Sequence, residues 1–202
     1  MKKLLALICL FTMSSAWAEL DHYKFDIKGQ HAFIQFKIKH LGYSWLLGDF
    51  RKFDGDFYFD ETNIEKSSVS VNIDTRSLDS NHAARDKHLK GKDFLQVDKY
   101  PQASFASNKI VAVDDGGFLI HGDLQLRGVS KAIIIEAKEI GHGPDPWMGY
   151  RAGFEGTTRL KLSDFNITKD LGPASAEVQL LLYIEGVRQP KEYSDSGSPF
   201  FE

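Results

Sequence analysis

The sequence predicts an all-β domain, either a sandwich or a closed barrel. Six stretches of the chain alternate apolar and polar residues, and the first of them runs over residues 32–39. A period of two places successive side chains on opposite faces of a strand, so each stretch predicts a strand with one buried face. Short turns rich in Gly and Asp join these stretches, as is typical of antiparallel folds.

The predicted elements follow one another closely along the chain. The apolar stretch 40–48 is either a structured connection or a bent strand, because it holds two aromatic residues between glycines. Ser80 or Asn81 can cap a short helix over 82–90 that Gly91 would end, and its small apolar face suits a barrel mouth or flank. Residues 141–147 hold two prolines and predict a rigid loop. Strands are expected over 22–28, 31–40, 50–60, 67–75, 102–113, 118–126, 131–140, 150–162 and 176–186.

Both ends of the chain differ in character from the middle. Two lysines precede an apolar run over residues 4–13, and Ala16-Trp17-Ala18 is an A-x-A cleavage site. This three-part pattern predicts a signal peptide over 1–18 that is cleaved after Ala18 during export. The domain is expected over 19–188, and residues 189–202 have the composition of a disordered tail.

Cysteine usage and charge exclude several classes of function. Cys9 is the only cysteine and lies in the predicted signal peptide, so the exported chain offers no disulfide and no thiolate. Without Lys2 and Lys3, the 25 basic residues become 23 against 28 acidic ones, a net charge of −5. This balance argues against nucleic acid as a partner, since such binding needs a basic surface.

No catalytic or metal-binding pattern is recognisable along the chain. The seven histidines show neither HExxH nor H-x-H spacing on one element, so we expect no metal site, although clustering across strands stays open. Ser, His and Asp occur without a G-x-S-x-G elbow, and residues 141–149 lack the glycine order of a phosphate loop. We therefore expect no enzyme.

The inward faces leave two interpretations of the interior. Their aromatic residues can form an ordinary packed core, but a barrel of about eight strands can also hold one small ligand. Small inward residues would leave room along the axis: Ala32, Gly55, Gly122, Ala152, Gly156 and Thr158. Trp45 and Trp147 are candidates for the mouth. The inward candidates for ligand contact are Ile34, Phe36, Ile38, Phe57, Phe59, Val71, Ile73, Leu124, Leu126, Phe154, Leu180 and Leu182.

A series of short motifs runs in order over about residues 20–188. It includes His40-Leu41-Gly42-Tyr43-Ser44-Trp45-Leu46, Arg85-Asp86-Lys87-His88-Leu89, Lys99-Tyr100-Pro101-Gln102-Ala103, Gly122-Asp123-Leu124 and Asp170-Leu171-Gly172-Pro173-Ala174-Ser175. In this order the motifs resemble the YceI-like family, also called polyisoprenoid-binding or lipocalin-like proteins. Gln125 and Ser130 stand where that family commonly has Thr, and the tail from residue 190 extends beyond the usual family end.

The resemblance implies an extended antiparallel eight-stranded lipocalin-like β-barrel with a short helix. It further implies a periplasmic protein without catalytic residues or cofactor, which holds a polyisoprenoid or isoprenoid quinone noncovalently and in some members forms a homodimer. Such a protein would sequester, store or transport the lipid. Alternatives are a factor that presents quinone to a membrane redox partner, with transient membrane contact, and a stress-related periplasmic protein. An enzyme acting on an isoprenoid would need a polar cluster inside the barrel.

Overall fold

Eight antiparallel strands close into a barrel in the computed structural model, which describes residues 20–114 and 116–191. The predicted signal peptide and most of the predicted tail lie outside the described residues. The one α-helix of the described part, α1, spans Ala83–Lys90. The strands are β1 (Asp21–Phe25), β2 (Ala32–His40), β3 (Ser44–Phe50), β4 (Phe53–Phe59), β5 (Ser68–Asp74), β6 (Leu78–Asp79), β7 (Gln102–Ala112), β8 (Gly117–Leu126), β9 (Val129–Pro144), β10 (Tyr150–Lys161) and β11 (Glu177–Arg188).

The barrel closes because β11 pairs with two strands along one of its edges. Its first part pairs with β2, from Val178 opposite Ile38 to Ile184 opposite Ala32, and its last part pairs with β1. The closed ring therefore runs β1-β4-β5-β7-β8-β9-β10-β11, while β2, β3 and β6 extend the sheet beyond it. We call the end that carries α1 and the β2–β3 turn the helix end, and the end that carries turns 113–117 and 145–149 the far end.

The eight-stranded barrel with a short helix is confirmed, and local differences have physical reasons. Residues 44–50 form a strand, β3, paired along β2. The predicted loop 141–147 begins later than expected, because β9 continues to Pro144 against β10. His82 caps α1 by accepting a hydrogen bond from the Arg85 N–H, at 3.2 Å. Ser80 is not the cap, because its N–H and hydroxyl both bind the Asp86 carboxylate. No helix of the described residues has the length and apolar character needed to cross a membrane.

At several strand glycines, aromatic rings from neighbouring strands fill the space that a side chain would take. A Cβ built on Gly55 would lie 2.7 Å from the Phe25 ring, and one on Gly122 would overlap the Phe105 ring. The position above Gly156 is also tight, with Ile135 Cγ2 at 3.1 Å. The expectation that small inward residues leave room along the axis is therefore wrong at Gly55 and Gly122, where close packing fills the space, whereas Gly156 borders open volume inside the barrel.

Candidate functional site

The barrel interior contains two cavities that meet at Ile34. The larger cavity measures about 350 Å³ and lies at the helix end. The smaller cavity measures about 110 Å³ and lies toward the far end. Ile34 is buried and lines both of them, so its side chain stands at their junction.

Strands and the helix segment together enclose the larger cavity. β2 and β3 contribute inward residues because their alternate side chains face the axis. Leu89 of α1 and the following Phe94 and Leu95 cover the end of the barrel. The predicted residues that line this cavity are Ile34, Phe36, Ile38, Ile73, Leu124, Leu126 and Leu180.

Aromatic rings surround the smaller cavity. The Phe154 ring meets the Phe57 and Phe59 rings edge to face, at centroid distances of 5.3 and 5.2 Å. Phe118 approaches the same ring at 6.0 Å. This arrangement is the favourable geometry for aromatic pairs and narrows the barrel here. The predicted residues that line the smaller cavity are Ile34, Phe57, Phe59, Val71, Phe154 and Leu182.

Neither predicted tryptophan lines a cavity. Trp45 precedes the inward Leu46 on β3, so its indole lies on the outer face, where Lys37 Nζ is 4.2 Å from the ring centroid. Trp147 lies in the exposed turn at the far end, with the Arg151 guanidinium 5.4 Å from its ring centroid. The structure therefore separates both residues from the lining of the two cavities.

Sequence reasoning missed the polar residues at the helix end. Lys39, His40, Arg85, His88 and Ser175 all line the larger cavity. Arg85 is held in place because its guanidinium donates to the hydroxyl and carbonyl of Ser80. The His88 ring meets the Phe94 ring at 5.0 Å, and Nε2 lies 3.8 Å from the Asp93 carboxylate. The sequence signal for four of these residues was their place in the family motifs that begin at His40, span 85–89 and end at Ser175.

An ion-pair cluster lies where the chain passes from β1 to β2, outside the cavities. The Arg151 guanidinium contacts Asp26 at 2.7 Å, Glu185 at 2.5 Å and Asp145 at 2.9 Å. Burial alone would raise the pKa of Asp26, but hydrogen bonds from Arg151, His31 and the Gly29 N–H outweigh it and lower that pKa to about 2.

The same cluster contains one grouping of potential metal ligands. Within the described ranges, Asp26, His31 and Glu185 are close enough to share an ion. Arg151 already pairs with both of these carboxylates, which makes a second cation there unfavourable. We interpret the cluster as a clamp that ties the β1–β2 connection to β10 and β11, and the absence of a metal site stays a prediction.

Comparison with known proteins places this barrel in a family. The model of the YceI-like domain matches residues 24–186. A UPF0312 protein of Ectopseudomonas mendocina is 55% identical over 186 residues, which cover 92% of this chain and 97% of that relative. A UPF0312 protein of Azotobacter vinelandii is 54% identical over 191 residues, which cover 94% of this chain and all of that relative.

Solved structures show the same architecture. The YCEI protein of Campylobacter jejuni superposes with a TM-score of 0.68 at 28% identity, over 77% of this chain and 91% of that one. A polyisoprenoid binding domain from Saccharophagus degradans superposes with a TM-score of 0.58 at 12% identity, over 85% of this chain and 100% of that one. The match over 24–186 and the close relatives together show that the chain belongs to the YceI-like domain family.

Proposed function

We propose that this protein binds a long apolar lipid, a polyisoprenoid or isoprenoid quinone, noncovalently inside its barrel, for sequestration, storage or transport in the periplasm. The observation that carries the proposal is the larger cavity, with its apolar walls and polar residues gathered at the helix end. Small-molecule sites are typically concave, mostly apolar and furnished with a few placed polar groups. Each buried CH₂ of the lipid contributes about 0.8 kcal/mol to binding.

The distribution of polar residues gives the ligand a direction. His40, Arg85 and His88 can donate hydrogen bonds to a phosphate, hydroxyl or quinone oxygen at the helix end. The apolar tail then extends past Ile34 toward the smaller cavity. Burial of the apolar tail stabilises the complex without directed contacts, so we expect the protein to bind tails of different lengths with little selectivity.

Binding is favoured over catalysis by the composition of this lining. The described residues that line the larger cavity include no Asp or Glu, and the Asp93 carboxylate, 3.8 Å from His88 Nε2, lies outside the lining. The Saccharophagus degradans neighbour is described as a polyisoprenoid binding domain, and at its low identity that similarity concerns the fold. The ligand class proposed for this chain therefore rests on its own cavities.

A cavity-filling substitution tests the proposal. Ala103 lines the larger cavity on β7 and is buried, whereas Ala106 on the same strand is exposed. The protein, stripped of bound lipid, would be titrated with a polyprenol or quinone of defined length. We expect Ala103→Phe to weaken binding at least tenfold and Ala106→Phe to bind like the unsubstituted protein. Equal affinities for two folded variants would contradict the proposal.

A further inference from the structure

The β2–β3 hairpin carries an exposed apolar stripe at the helix end. Leu41, Tyr43, Trp45 and Leu47, the hairpin stripe, are 53, 88, 47 and 52% exposed. Trp45 and Leu47 share the outer face of β3 because they stand two residues apart, and Leu41 and Tyr43 lie in the turn that precedes the strand. Four large exposed apolar side chains within residues 41–47 make this hairpin a candidate contact surface, since clustered exposed apolar residues mark sites that bind proteins or membranes.

Cationic side chains flank this stripe. Lys37 lies opposite Leu47 and Lys39 lies opposite Trp45 in the β2–β3 register. Both ammonium groups lie over the Trp45 ring, at 4.2 and 5.7 Å from its centroid. Residues 32–48 contain no Asp or Glu, although the whole chain has a net charge of −3. The hairpin is therefore a local basic and apolar surface on an acidic protein.

The stripe adjoins the larger cavity. Leu41 belongs to the stripe and also lines the cavity, next to Lys39 and His40. Trp and Tyr favour the headgroup level of a bilayer, and lysines keep their charge in water while their stems lie on apolar surface. Anionic leaflets attract such basic segments. A bilayer therefore matches both the chemistry and the position of this surface.

We propose that the hairpin stripe docks the protein on the surface of an anionic lipid bilayer, with the helix end of the larger cavity facing the membrane. The inference rests on the proposed function, because the membrane is then the source or destination of the bound lipid. Docking would place the polar residues of the cavity near the headgroups and shorten the path of the apolar tail through water.

Tryptophan quenching measures the orientation of docking. In the exported protein, which is expected to begin at Glu19 and so to lack Trp17, Trp147→Phe leaves Trp45 as the sole emitter, and Trp45→Phe leaves Trp147. Vesicles of phosphatidylglycerol and phosphatidylethanolamine with brominated acyl chains serve as the probe, and flotation measures how much protein is bound. We expect Trp45 emission to fall by at least a third per bound protein, Trp147 emission to stay unchanged, and binding to weaken in high salt. Unquenched Trp45, or equal quenching of both residues, would overturn the proposal.

A second comparison separates docking from ligand binding. Tyr43 and Leu47 do not line the larger cavity, so Tyr43→Ser with Leu47→Ser should lower vesicle binding at least fivefold and leave the co-purified lipid unchanged. Ile140→Ser with Met148→Ser removes exposed apolar residues from the far half and should bind vesicles normally. Equal vesicle binding by both double variants, or a dimer that only the hairpin variant loses, would overturn docking on a bilayer. Normal vesicle binding by protein whose native extract holds no polyisoprenoid or quinone, and which takes none up from vesicles that contain it, would contradict the proposed function and leave the docking proposal standing.

Discussion

Phe36 serves both packing and the lining of the larger cavity. Its ring lies 6.1 Å from the Phe50 ring and occupies the space beside Gly48, where a Cβ would come within 2.5 Å of the ring. The other side of the ring borders the larger cavity. One inward residue on β2 is thus in contact with both protein and the proposed ligand.

The substitution Phe36→Ala distinguishes a packed core from a ligand cavity. Truncation of a fully packed Phe to Ala lowers the free energy of unfolding by about 3–5 kcal/mol. Because Phe36 borders open volume, we expect a smaller loss of stability and a clear loss of bound lipid. Melting curves and the amount of co-purified lipid per folded molecule measure the two effects. Full loss of stability with unchanged lipid would remove Phe36 from the site.

The alternation of apolar and polar residues correctly predicted which side chains face inward on regular strands, where the two-residue repeat of the backbone sets their orientation. The predicted inward residues of β2, Ile34, Phe36 and Ile38, all line the larger cavity, since a register slip would place lysines inside an apolar barrel. Gly55 and Gly122 were misread as open space, because whether a glycine leaves space depends on a ring from another strand. That information is absent from local sequence.

At the scale of elements, strands pack through pairs of glycine and aromatic residues. A Cβ on Gly186 of β11 would overlap the Phe57 ring of β4 and would lie 3.1 Å from Tyr23 Cβ of β1. These contacts hold together the strands that close the barrel. These glycine–aromatic pairs therefore fix the relative positions of the strands that close the barrel.

We expect Gly186→Ala to destabilise the barrel by about 1–3 kcal/mol, because the added methyl overpacks the closure. Gly153→Ala on neighbouring β10 is the matched control, since the nearest atom to its Cβ is an ordinary 3.7 Å away. Denaturant unfolding of both variants measures the difference. Equal stability of the two variants would show that the closure adapts without cost.

The clamp around Asp26 makes the stability of the β1–β2 connection depend on pH. Its carboxyl has a folded pKa of about 2, below the ordinary 3.8. A lowered pKa stabilises the fold above the ordinary value, and this contribution disappears as the pH falls through the folded pKa. The stabilisation is therefore complete above about pH 5 and is lost between about pH 4 and pH 2.

Asp26→Asn should cost about 2 kcal/mol at pH 7, the equivalent of the pKa shift, and should flatten the loss of stability in acid. Asp114→Asn removes a carboxylate from an exposed turn and should change neither property. Urea unfolding at pH 7, 4 and 3 gives the profiles. Parallel profiles for Asp26→Asn and the unsubstituted protein would show that the clamp carries no pH-dependent stability.

Elements were predicted unevenly from the sequence, for physical reasons. The long alternating strands β2, β10 and β11 were recognised because their pattern is local. The sharing of one β11 edge between β1 and β2 was not, because pairing across more than 140 residues leaves no local pattern. The helix α1 was expected at a barrel mouth or flank, and it lies at the mouth, where its apolar contribution to the larger cavity is chiefly Leu89.

For the whole molecule, the predicted export route determines where ligand is available. We expect the exported chain to begin at Glu19 and to be recovered in a periplasmic extract, because residues 1–18 have the three parts of a signal peptide. Intact mass of the protein from cell fractions measures both the start and the location. A product that retains Met1, or one fixed in the membrane fraction, would contradict cleavage.

The central claim is that the cavities hold an apolar lipid in the native protein. The most direct measurement is a mass spectrum of the organic extract of protein purified from its own bacterium without detergent. The account predicts a polyisoprenoid or isoprenoid quinone at close to one molecule per chain, reduced in Ala103→Phe and retained in Ala106→Phe. An extract without such a lipid, or one with equal amounts from both variants, would contradict it.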